Sequence, residues 1–336
     1  MMKKLLLSLL FFGLWVFPAQ VSAANVSKMG IHILHPEEIV DAKQLVRMHE
    51  VDKNWHYVTV PYTLEDIDKT SQWQKFFDEA KENRIIPIVR LASTMDGQGW
   101  TIPNRKNTVD QINALSQFQW PTQQKHIIIY NEVNHAKEWG GVIDPIDYAR
   151  VFRFASSWAH AVDSAFVVMP AAMDLAAPNG PETMEAFNYL TRMHEFDPEI
   201  FAYADAWNSH SYPNPGFAAS PQRKAKNGMN GFEYELQFLA GKTKQDLQVY
   251  ITETGWEESS ALRRWLPAYY VYALEHIWSH DRVAAVTPFI LKGSPGPFAG
   301  FSFLDTADNP TAQYNAFRSA MEKQYFNQQL QLSAAE

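Results

Sequence analysis

The sequence predicts a single-domain α/β protein, a (β/α)8 TIM barrel, from three observations. Short apolar runs that end in polar residues recur eight times along the 336 residues. Segments of helical period lie between them, each long enough for the crossover that parallel strands require. No linker, low-complexity tract or tandem repeat divides the chain, and eight strand–helix units favour closure over an open sheet.

The first 23 residues read as a processing segment rather than structure. Met1-Met2-Lys3-Lys4 is a positive start, residues 5–17 are apolar, and Val21-Ser22-Ala23 supplies small residues for cleavage. The apolar run is about a dozen residues, short of the roughly 20 that span a bilayer. The expectation is a signal peptide at 1–23 and a barrel domain at 24–336. The protein is then exported to a bacterial periplasm or exterior, without stable membrane insertion once the signal is removed.

Strands are expected near 28–34, 56–62, 84–92, 126–132, 166–173, 205–212, 248–254 and 284–291. The fourth contains Ile127-Ile128-Ile129, a β-branched run suited to a strand buried on both faces. Helices are expected at 36–50, 71–82, 145–162, 181–194, 229–240, 259–279 and 310–323, with a fraying end from Tyr325. In 145–162, Ile146, Ala149, Phe152, Ala155, Ala159 and Val162 mark one inner face. Residues 211–231, rich in Pro, Gly, Asn and Lys, read as a long loop walling a cleft.

Composition excludes several classes. A formal net charge of −8 argues against nucleic acid or an anionic membrane as the main partner. The absence of cysteine removes disulfides, thiolate metal sites and cysteine nucleophiles. The first strand is followed by no G-x-G-x-x-G, and no P-loop occurs, so nucleotide-binding folds lose ground. Eleven histidines show no H-E-x-x-H or close paired spacing, so neither a metal nor a cofactor is expected. With 11 Trp among 14% aromatics, most must be core, while some are candidates for platforms under sugar rings.

Active sites of such barrels lie at the C-terminal ends of the strands. Those ends carry His35, Arg90, Asn131 with Glu132, Asp174, the set Asn208, His210 and Tyr212, then Glu253, and finally Lys292. Two acids stand out. Singly, Glu132 reads as a loop cap and Glu253 as a helix N-terminal acid. Together they sit on the fourth and seventh strands, which face each other across a barrel mouth. Glycoside hydrolysis needs such a pair, about 5–5.5 Å apart for retention or about 6.5–9.5 Å for inversion.

Asn131-Glu132 and Glu253, at these strand ends, resemble the signature of the clan A glycoside hydrolases, retaining enzymes on (β/α)8 barrels. The resemblance implies Glu132 as general acid/base, Asn131 as ligand of the sugar 2-hydroxyl and Glu253 as nucleophile. His210-Ser211-Tyr212 resembles the H-x-Y element of the sixth strand, whose tyrosine contacts the nucleophile, and Arg90 matches the basic residue that some families keep near it. Many clan members end the eighth strand with a tryptophan under the sugar. This chain has Phe289-Ile290-Leu291-Lys292-Gly293 instead, leaving Trp256 or Phe298 as the platform. Trp139 beside Gly140-Gly141 and Trp100 near Gly97 and Gly99 are further platforms; Trp207 reads as core.

The expected function is cleavage of β-glycosidic bonds in a polysaccharide or oligosaccharide substrate. The alternatives are a catalytically silent polysaccharide-binding barrel and a transglycosylase using the same pair.

Overall fold

The computed structural model describes residues 26–47, 52–97, 99–243 and 246–335. The expected signal peptide at 1–23 lies outside them. Eight strands form one parallel sheet: β1 (Val26–His32), β2 (Trp55–Tyr62), β3 (Ile85–Leu91), β4 (Lys125–Ile129), β5 (Phe166–Pro170), β6 (Trp207–His210), β7 (Val249–Glu253) and β8 (Val283–Val286). Their order, β5-β4-β3-β2-β1-β8-β7-β6, leaves only the β5–β6 seam without a regular ladder. Local contacts close that seam. The Asp205 N–H donates to Val168 O (3.0 Å), the Val168 N–H donates to Asp205 Oδ2 (2.8 Å), and Asp174 bridges His210 in parallel.

Side-chain alternation sorts the strands into two cores. Tyr57, Ile86, Ile88, Ile128, Met169, Ala206, Tyr250 and Ala285 fill the barrel interior, as layered side chains do in this fold. Residues of opposite parity, such as Ile31, Val58, Val89, Ile127, Val168 and Ile251, face the helices. Gly30 sits where β1 presses on β2: an added Cβ would lie 2.1 Å from Tyr57 O. Only glycine fits there.

The helices are α1 (Ile39–Val46), α2 (Thr70–Glu82), α3 (Arg105–Gln117), α4 (Pro145–Val162), α5 (Ala186–Phe196), α6 (Gly231–Leu239), α7 (Leu266–His276) and α8 (Ala312–Ala335). Asp144 caps α4, accepting from the N–H groups of Ile146 and Asp147 (3.1 and 2.9 Å), with Pro145 at the first position. Its buried stripe runs through Tyr148, Ala149, Phe152, Ala155, Ser156 and Ala159. Ile146 and Val162, at the two ends of the helix, are exposed. The sequence singled out no helix at Arg105–Gln117. Half of its buried residues are polar (Thr108 and Gln111 beside Ile112 and Leu115), which erases the apolar period.

Strand ends also shift. β1 stops at His32, three residues before His35. β8 stops at Val286, although the chain beyond it still pairs through Thr287 N–H to Ile251 O, Phe289 N–H to Thr254 O and Leu291 N–H to His32 O. α8 runs to Ala335 instead of fraying from Tyr325.

Candidate active site

The end of β4 is pinned before it turns. The Tyr148 hydroxyl donates to Ile129 O (3.0 Å) and the Tyr130 hydroxyl meets Thr108 Oγ1 (2.9 Å). Tyr130 and Glu132 then adopt positive φ, 68° and 30°, left-handed backbone that non-glycine residues adopt at a cost of about 1–2 kcal/mol. The buried Asn134 amide ties the following loop down, donating to Asp174 O (3.0 Å) and Met184 O (2.9 Å). Backbone strain held by buried hydrogen bonds thus aims Asn131 and Glu132 at the mouth.

Glu253 arrives by a different device. β6 and β7 pair Ser209 with Ile251 but His210 with Glu253, so Thr252 is an extra residue. Strict alternation from the inward Tyr250 would turn Glu253 outward. The bulge turns it back to the mouth.

There Arg90 Nη1 donates to Glu253 Oε1 (2.9 Å) and the Tyr212 hydroxyl donates to Oε2 (3.1 Å). His210 Nδ1 lies 2.9 Å from Glu132 Oε1 and 3.7 Å from Glu253 Oε2. Arg90 Nη1 also donates to Asn131 Oδ1. One oxygen of each glutamate and a ring nitrogen of His210 lie within 4.8 Å of one another. Glu132, Glu253, Arg90, Asn131, His210 and Tyr212 are therefore one connected cluster.

The electrostatics are asymmetric. Burial pushes the Glu253 carboxyl up, but His210, Arg90 and the Tyr212 hydroxyl outweigh it and hold it below the usual range. Burial pulls His210 down, and the two glutamates raise it above its ordinary value. His210 Nε2 is buried without a partner. Glutamate–histidine–glutamate is also a set of metal-ligand types. Here the Arg90 guanidinium already occupies Glu253, and its charge opposes a cation at that spot.

Two members were not singled out by the sequence. His32 is fully buried, with Nδ1 3.7 Å from Glu253 Oε1 and 3.2 Å from Thr252 O. A carbonyl only accepts, so Nδ1 carries the proton. Burial, with Arg90 and His210, pulls the ring down to about 3 against the opposing pull of Glu253 and Thr252 O, so it stays neutral. Its signal was strand parity with Gly30, obscured by placing the strand end at His35. The second is Glu138, whose Oε2 accepts from Asn131 Nδ2 (3.3 Å). Burial and the Glu132 charge raise its carboxyl, against Arg90 and Asn131. Nothing in the polar loop around it marks it out in sequence. Asn131 is thus held between Arg90 and Glu138. Glu138→Ala should lower kcat/KM about 5–10-fold by freeing that amide, whereas Glu138→Gln, which keeps an acceptor, should lose far less. Steady-state kinetics of the two variants check this.

Four expected contributors are corrected. Trp139 is fully buried, wedged against Tyr130 and Tyr148, with Nε1 donating to Asp147 Oδ2 (3.1 Å). Trp256 is fully buried between Tyr269 and Tyr270. Neither indole has a face free for a sugar. His35 lies past the strand end, exposed, and starts the 3-10 turn Pro36–Glu38. Lys292 Nζ is held by Asp41 Oδ2 (2.8 Å) and Asp308 Oδ1 (2.7 Å), which ties α1 to the loop before α8. Phe289, just past β8, lies edge-on to His32 (5.2 Å) and Phe298 (5.0 Å). Asp174 binds His135 Nε2 through Oδ2 (2.8 Å). Trp207 is core, as expected. A cavity of about 1120 Å³ between α4 and α5 is lined by neither glutamate.

No family model matches the sequence, and no curated protein matches it. Solved structures do match in fold. A family 39 glycoside hydrolase from the gut symbiont Bacteroides cellulosilyticus superposes with a TM-score of 0.63 at 16% identity, over 91% of this chain and 66% of that one. A monomeric beta-xylosidase from Caulobacter crescentus gives 0.62 at 13% identity, over 90% and 68%. A beta-mannanase from Thermomonospora fusca gives 0.53 at 12% identity, over 90% and 96%. The chain thus spans about two thirds of the length of the first two.

Proposed function

We propose that this protein is an exported retaining glycoside hydrolase that cleaves β-glycosidic bonds, with Glu132 as general acid/base and Glu253 as nucleophile. The observation that carries the reading is the close approach of the two carboxylates, within 4.8 Å oxygen to oxygen. That is near the separation of about 5–5.5 Å associated with retention, and too short for the water an inverting enzyme places between its acids. The partners of each acid support the division of labour. Glu253 has the guanidinium and hydroxyl that keep a nucleophile ionised. Glu132 keeps one oxygen on His210 and is more open to the mouth.

In the first step a Glu253 oxygen attacks the anomeric carbon, the bond to the leaving oxygen breaks, and the Glu132 proton moves to that oxygen. In the second, Glu132 takes a proton from water as the water oxygen displaces Glu253. Arg90, Tyr212 and His210 offset the charge that returns to Glu253. The names of the structural neighbours, a β-xylosidase and a β-mannanase among them, favour a β-linked substrate. The leader-like start at 1–23 supports export. No helix of the described residues is long and apolar enough to cross a membrane.

The test is hydrolysis of xylans, mannans, β-glucans and bacterial exopolysaccharides, with the first-formed anomer followed by NMR and a chelator added in parallel. The β-anomer should appear first, and the chelator should leave the rate unchanged. The α-anomer first would overturn retention. Binding without cleavage would leave a glycan-binding barrel.

A further inference from the structure

A cavity of about 350 Å³ lies beside the site, lined by Asp96, Trp100, His135, Lys137, Glu182 and Thr183 among others. We propose that it is the leaving-group subsite, binding the sugar units on the far side of the bond that is cut, with Trp100 as their platform. This deepens the hydrolase reading and rests on it.

Position is the first argument. A general acid delivers its proton to the leaving oxygen, so the departing part of the chain must lie on the Glu132 side, away from Glu253. The cavity is built on the loop that carries Glu132. The His135 N–H donates to Glu132 O (2.8 Å), and His135, whose ring is fixed by Asp174 (2.8 Å), is one of the wall residues. The Glu132 charge also contributes to raising His135, after burial, which pulls it down, and the Asp174 hydrogen bond.

Trp100 is the second argument. Trp73, Trp120, Trp139, Trp207, Trp256 and Trp278 are buried. Trp100 is half-buried and lines this cavity. Its backbone is clasped to the loop after β4: its N–H donates to Lys137 O (2.7 Å) and its O accepts from Gly140 N–H (2.8 Å). An added Cβ on Gly99 would stand 2.2 Å from Lys137 O, so glycine permits that contact. The platform is thus fixed by backbone rather than by burying the ring. A tryptophan that shares a cavity wall with Asp96, Glu182, Lys137 and His135 matches a sugar, which offers a C–H face and a rim of hydroxyls. The volume is at the small end for ligand cavities, a fit to one or two sugar units.

Kinetics of Trp100→Ala and Trp100→Phe test the assignment. The substrates are β-1,4-linked xylo-, manno- and gluco-oligosaccharides from disaccharide upward, and the matching β-glycosyl fluorides, whose leaving group fills no sugar subsite. Trp100→Ala should raise KM on the oligosaccharides about tenfold more than on the fluoride. Trp100→Phe should restore most of the difference. Trp265→Ala, at an exposed tryptophan before α7, should alter neither. Equal effects of Trp100→Ala on both substrate types would overturn the subsite while leaving the hydrolase intact. A wild-type protein that cleaves neither type would overturn the hydrolase reading and the subsite with it.

Discussion

Glu253→Ala should lower kcat on glycans roughly 10⁴–10⁶-fold, the scale seen when a covalent nucleophile is removed. Glu132→Ala should cost about 10²–10⁴-fold on natural leaving groups. On a dinitrophenyl glycoside, whose leaving group departs without a proton, that loss should shrink sharply. Azide separates the two roles by stereochemistry. In Glu253→Ala it replaces the missing carboxylate and attacks from the α face, giving an α-glycosyl azide. In Glu132→Ala it intercepts the glycosyl-enzyme from the opposite face, giving the β-azide. NMR of the products distinguishes them, and exchanged stereochemistry between the variants would reverse the assignment. The geometry explains why glutamine cannot stand in for Glu253: Arg90 and Tyr212 both donate to it, and an amide nitrogen has no lone pair to accept with.

Glu235→Gln should stabilise the protein at alkaline pH by about 3 kcal/mol relative to wild type. Glu235 in α6 is fully buried, accepting from Trp207 Nε1 (3.1 Å) and the Ser209 hydroxyl. Burial pushes it up to about 7, against the pull of those two donors. For an acid raised on folding, the native state binds the proton more tightly. Its contribution is complete below the unfolded value, near 4.5, and is lost as pH rises towards 7. Above that, the chain must bury a charge or release the helix. Glutamine copies the protonated acid: its oxygen accepts from Trp207 and its amide donates to Ser209, which is free to donate to Ser211 (2.8 Å). Melting curves at pH 5 and pH 8 should show wild type losing stability between them and Glu235→Gln losing less. Glu38, raised to about 7 chiefly by burial, has the same sign, so some slope should persist in the variant. Identical slopes in the two proteins would refute the role of Glu235.

The sequence alone determined the barrel, because eight apolar runs separated by helical periods carry parity and length information that survives in one dimension. It also marked Glu132, Glu253, Arg90, Asn131, His210 and Tyr212, because residues at the C-terminal ends of the strands gather around the mouth in this fold. Only the tertiary structure decided the rest. Glu253 faces inward through a bulge that turns on how β6 and β7 register, and pairing between segments leaves no trace in local pattern. His32 displaced His35 because a strand ends where its neighbours stop pairing, not where its own hydropathy changes. Trp139 and Trp256 look identical to Trp100 in sequence, each an indole near glycine after a strand. Burial by Tyr148, Tyr269 and Tyr270 made the first two core, and a backbone clasp between two loops left the third facing a cavity. Burial is a sum over neighbours distant in the chain, so it is the property that no single stretch of sequence contains.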